Sequence, residues 1–224
     1  MTELHLTRRQ KEDPVVVTWV RFQDWFLENI RVILAAVGIV VAVVVIGALW
    51  LKSRADAEQK ASGKLAEASA LYWRGEYGPL SQRAVDIRRD YPGTKAAAEA
   101  TRMLGDAYFW RGDFKKAIDS YNEYLKNTPA SSSLRPGIDR SIAQAYESQR
   151  QFKEAATQYE KSSKEFPARM DQADMLMAAG RSYEAMADYT HAKATFQKVA
   201  NEYSDTPFSN DAEMRLGEIE GMGK

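Results

Sequence analysis

Six residues, Tyr72-Trp73-Arg74-Gly75-Glu76-Tyr77, return 37 positions later as Phe109-Trp110-Arg111-Gly112-Asp113-Phe114. An internal period of about 20 to 50 residues marks a solenoid, in which each supersecondary unit leaves an apolar face that only its neighbour covers. Aligning the chain on tyrosine and proline extends the ruler. Leu71 to Pro92, Tyr108 to Pro129, Tyr146 to Pro167 and Tyr183 onward begin 37, 38 and 37 residues apart. Four units are expected, over 61–97, 98–135, 136–172 and 173–206. One more period places Leu216-Gly217 where Leu104-Gly105 stand, so 207–224 reads as a capping helix and tail that turns Glu213, Arg215, Glu218 and Glu220 to water.

Within the ruler the residues fall at recurring offsets. The second unit carries Leu104-Gly105, Tyr108, Gly112, Ala117, Tyr121 and Pro129, and the third carries Ile142, Ala143, Tyr146, Ala155, Tyr159 and Pro167. The fourth has Gly180, Tyr183, Ala192 and Phe196, with Ser204 in the proline position and Pro207 three residues on; the first keeps Ala68, Leu71, Gly75 and Pro92 but has Leu80 for the small residue. This pattern resembles the tetratricopeptide repeat family, whose unit pairs two helices. Small residues let paired helices approach closely, the aromatics fill the space between units, and proline past a helix prevents its continuation. The fold class expected is all-α: about nine soluble helices in a right-handed superhelix, tethered by one transmembrane helix.

That helix is read from Val32 to Leu51, 20 residues without a charge between Arg31 and Lys52. At about 1.5 Å per residue it is roughly 30 Å long, the thickness of a hydrocarbon core. Thirty-one residues precede it and Trp50-Leu51-Lys52-Ser53-Arg54 follows, so an uncleaved anchor is expected instead of a signal peptide. Basic residues flank both ends almost equally; a short tail before a large domain favours a cytoplasmic N-terminus with the repeats outside. In the 1–31 tail, 14–30 reads as an amphipathic helix whose Trp19, Phe22, Trp25 and Phe26 would sit at a membrane interface or on a membrane partner. Gly38 and Ala42 form a small-xxx-small pair that permits close helix contact. Residues 52–60 read as a helical stalk.

Chemistry is absent where it would show. The chain has no cysteine and two histidines, His5 and His191, neither spaced for metal or acid–base work, and no phosphate loop or nucleophile elbow. No catalytic residue, metal, cofactor or small-molecule substrate is expected. With 31 basic and 31 acidic side chains there is no field to hold a nucleic acid. The partners expected are other proteins. The family resemblance implies that first helices line a groove, and the offsets facing it hold Tyr72, Trp73, Arg102, Asp106, Phe109, Trp110, Arg140, Gln144, Glu147, Met177, Arg181 and Glu184. Packing of Trp73 and Trp110 in the turn is an equal alternative for those two.

The layout of short tail, single anchor and repeats also resembles the ancillary subunit family of the SecYEG translocon. This implies a protein of the bacterial inner membrane with a periplasmic repeat domain, binding extracytoplasmic segments of integral-membrane or secreted proteins as a scaffold or chaperone-like adaptor. A rival reading is an accessory subunit of a large membrane complex (respiratory, photosynthetic or cell-envelope), held by the anchor and its aromatic collar.

Overall fold

Good helix formers dominate every unit between its turn residues, and the computed structural model is accordingly helical, with no strand among the described residues, 14–129 and 132–222. The first thirteen residues (His5 among them), Ala130, Ser131, Gly223 and Lys224 lie outside the described residues. Helix α1 is Pro14–Glu28 and α2 is Ile30–Trp73. They are followed by α3 (Tyr77–Asp90), α4 (Lys95–Trp110), α5 (Phe114–Lys126), α6 (Arg135–Ser148) and α7 (Phe152–Glu165). The chain ends in α8 (Arg169–Ala185), α9 (Tyr189–Glu202) and α10 (Phe208–Met222).

Two units divide the chain between Asp56 and Ala57, inside α2. In the first, α1 stops at Asn29, whose side-chain amide donates to the Trp25 carbonyl at 2.7 Å. The apolar stretch of α2 contains no buried residue; Ile33 and Gly47 are partly covered and the rest are exposed. Residues 52–60, read as a helical stalk, are helical and belong to α2, which runs on without a break to Trp73.

In the second unit the core is a row of small clusters. Ala68, Leu80, Ala84 and Ile87 close the first against Ala100, Met103 and Leu104, and Tyr108 packs on both this cluster and the next. Tyr146 joins the second and third clusters in the same way. The last, around Phe196 and Val199, is closed by Ala212 and Ile219 of α10, which gives the capping helix its apolar partner. Close approach is real at two positions: a Cβ on Gly105 would meet the Tyr121 ring at 2.5 Å, and one on Gly180 would collide with the ring of Phe196. A longer-range lock joins α2 to α4, where the Glu58 carboxylate accepts the Lys95 and Ala96 amides at 2.7 and 3.0 Å, satisfying orphan donors at a helix start.

All four units turn between their helices in one way. Gly75, Gly112, Arg150 and Ala187 occupy the same repeat position, each with φ between 58° and 80°. The next amide then closes back on the first helix, Glu76 to Leu71, Asp113 to Tyr108, Gln151 to Tyr146 and Asp188 to Tyr183. Left-handed backbone costs an L residue roughly 1 kcal/mol or more, and glycine avoids most of it. Ala187→Gly is therefore expected to stabilise the fourth unit by about 1 kcal/mol and Gly112→Ala to destabilise the second by a similar amount. Urea midpoints moving in the same direction for both variants would contradict the shared turn.

Candidate interaction surface

The echoed segments bring their rings together across two units. Trp73 meets Tyr72 edge-on at 5.4 Å, Tyr72 meets Tyr77 at 6.3 Å, and Tyr77 stacks on Trp110 at 5.9 Å and 13°. Phe109 continues the row, edge-on to Trp110 at 5.7 Å and to Phe114 at 5.5 Å. Trp73 is 83% exposed and Trp110 60%. The turn does not need them, since the third and fourth units make the same turn with Ser148 and Ala185 in their places. Tyr77 and Phe114 complete the ladder; both close the echo in the sequence, where they read only as the start of a second helix.

Arg102 and Asp106 lie on α4, the helix that carries Phe109 and Trp110 of the ladder. Arg102 donates to Glu99 at 2.5 Å and to Asp106 at 2.6 Å, while Asp106 accepts the Tyr121 hydroxyl at 2.8 Å. Burial opposes the charge of Arg102, yet these two carboxylates hold its proton more firmly than usual. Asp106 is pushed up by burial, which outweighs Arg102 and the hydroxyl. Tyr72 is raised by burial and then by the charge of Asp106, which ties the ladder electrostatically to this pair.

Equivalent side chains continue along α6, α8 and α10. Arg140 bridges to Asp174 at 3.1 Å, Glu147 accepts the Tyr159 hydroxyl at 2.8 Å, and Gln144 is half-buried between them. Arg181 is exposed, and half-buried Glu184 lies 3.9 Å from Arg215, its carboxyl raised by burial. Met177 does not belong to this face. It shares the offset of Arg102 and Arg140 but is 2% exposed, in the cluster that Ala212 and Ile219 close, because α10 covers this part of α8.

On α1, Phe22 contacts Trp19 at 6.0 Å and both Trp25 and Phe26 at 6.3 Å, and all four rings are exposed. Gly38 has nothing within 4 Å of a built Cβ, and Ala42 is exposed beside it. His191 is exposed, stacked on Tyr183 at 5.2 Å and bonded to Asp188 at 2.8 Å, while the Tyr183 hydroxyl is pushed up to about 12 by burial and its bond to Glu160. Among the described residues no three His, Asp or Glu side chains gather as a metal site.

Tetratricopeptide repeat-like domains match residues 23–221. The chain belongs to that family. No curated protein matches the sequence of this tetratricopeptide repeat-like chain. Among solved structures it is similar to kinesin light chain-type repeats from Podosopora anserina, at 14% identity over 72% of this chain and 86% of that one, with a TM-score of 0.55. A variant of the same repeats matches at 14% identity, 72% and 85% coverage and TM-score 0.55. At such identity these neighbours support the tetratricopeptide-type fold alone.

Proposed function

We propose that the chain is a non-catalytic, membrane-anchored adaptor that binds extracytoplasmic segments of integral-membrane or secreted proteins on the face running from Trp73 to Glu184. The observation that carries this reading is the ring ladder from Trp73 to Phe114, half-buried except for its two exposed tryptophans, with Arg102 and Asp106 on the helix that bears Trp110. Tryptophan, tyrosine and arginine are the side chains whose loss most often costs an interface about 2 kcal/mol or more, about thirtyfold in affinity. The outer faces of Trp73 and Trp110 are open among the described residues. The anchor reading rests on the uncovered apolar stretch of α2, and placement in a bacterial inner membrane with periplasmic repeats rests on layout.

The test is a photoreactive residue at Gln144 in membranes of the native host. Trp73→Ala with Trp110→Ala should remove most client crosslinks while the protein stays in the membrane and folded; undiminished crosslinking would reject this face. Protease protection in sealed spheroplasts checks topology, where survival of the repeat domain would contradict an outward placement. The second reading, an accessory subunit of a large membrane complex, is favoured by the exposed rings of α1 and the open Gly38–Ala42 stripe. Under it, exchanging residues 14–51 for an unrelated anchor would eject the chain from the complex.

A further inference from the structure

On α1 the charged side chains keep to one side. Arg21, Asp24 and Glu28 follow at three and four residues, and Trp19, Phe22 and Phe26 repeat those intervals on the opposite side. The apolar side is also broad. Trp25, Phe26 and Leu27 are consecutive and exposed, at 55%, 37% and 60%. Successive helical side chains point about 100° apart, so these three alone reach over more than half of the circumference. A packed neighbour covers a stripe roughly 100° wide, whereas a fluid layer covers whatever sinks into it.

Position decides which layer that is. Only Asn29 separates α1 from α2, and its side-chain and backbone amides both donate to the Trp25 carbonyl, at 2.7 and 3.0 Å, which ties the turn. The uncharged span starts at Val32, so the last residue of α1 lies within about 6 Å of the hydrocarbon boundary. Standing upright, α1 would carry Trp19 roughly 20 Å out into water and leave its ring and that of Phe22 wetted. Lying along the boundary, the same helix takes its rings out of water and keeps its charges in it. At the far end of the span Trp50 is exposed, with the Arg54 guanidinium 5.2 Å over its ring, an indole and a cation placed where headgroups begin on the other side.

We propose that α1 lies in the headgroup layer where α2 enters the bilayer, with Trp19, Phe22, Trp25, Phe26 and Leu27 turned to the acyl chains and Arg21, Asp24 and Glu28 to water. The partner of this face is lipid. The inference rests on the reading of α2 as an anchor, and it gives the anchor a rim that fixes its depth in the membrane. With one basic and two acidic side chains, α1 has no excess of positive charge to select anionic headgroups, so zwitterionic lipid suffices.

The test uses the full chain in phosphatidylcholine vesicles, in forms that keep one tryptophan and carry phenylalanine at the other four of the five. Trp19 and Trp25 should emit to the blue and lose more emission to lipids brominated near the headgroup than to lipids brominated near the chain end. Trp50 should be quenched in the same way, and Trp110 should not be quenched. Phe22→Asp should release Trp19 from quenching and leave Trp50 unchanged. An unquenched Trp19 beside a quenched Trp50 overturns the proposal alone and leaves the face to a protein partner. If Trp50 is unquenched as well, the proposal falls together with the anchor reading. Stronger quenching of Trp19 from the chain end, or equal quenching in Phe22→Asp, also overturns it.

Discussion

Alanine in place of Phe196 is expected to cost about 3–5 kcal/mol, a large share of what a domain of this size holds in reserve. The ring is wholly buried and lies against Gly180, whose missing side chain is what lets α8 and α9 close to this distance. Gly180, the residue facing it, has no side chain with which to fill the space it would leave. Solenoid stability is nearly a sum of unit and nearest-neighbour terms, so the loss should concentrate in α8, α9 and α10. Urea unfolding followed by circular dichroism gives the total, and amide exchange gives its place. A cost under about 1 kcal/mol, or one spread evenly to α3 and α4, would show that this contact does not lock the fourth unit.

The same glycine–aromatic pairs show what a sequence reader can see. Gly105 with Tyr121 and Gly180 with Phe196 stand at fixed offsets, and their contact follows from the repeat alone. The turn was half visible: glycine marks it at 75 and 112, but Arg150 and Ala187 hold the same left-handed backbone with nothing in their identity to announce it. Offsets failed at Met177, because a helical period identifies a face without saying which neighbour covers it, and α10 covers that one. Glu58 on the α4 amides and Asp139 under Lys161 had no local signal either. Their partners lie 37 and 22 residues away, and only the packing of units aims them. Tyr77 and Phe114 were part of the echo from the start, yet their place in the ladder depends on how one unit stacks on the next.

Two arginines in the apolar stretch, Val41→Arg with Val44→Arg, are expected to release the chain from the membrane. Its 13 Val, Ile and Leu residues between 32 and 51 favour insertion by about 4–8 kcal/mol in total. Each arginine near the middle costs about 2.5–3.5 kcal/mol, and from the centre of the span a side chain cannot easily reach the headgroups. The pair therefore cancels most of the gain, whereas Val41→Leu with Val44→Leu leaves it intact. Alkaline carbonate extraction separates the outcomes: wild type and the leucine variant should pellet with the membrane and the arginine variant should not. If the arginine variant pellets like wild type, α2 is not the anchor. The intact mass of the membrane-bound protein decides the other question, since a chain shortened at or beyond Leu51 would make this stretch a removable signal and leave the repeats without a tether.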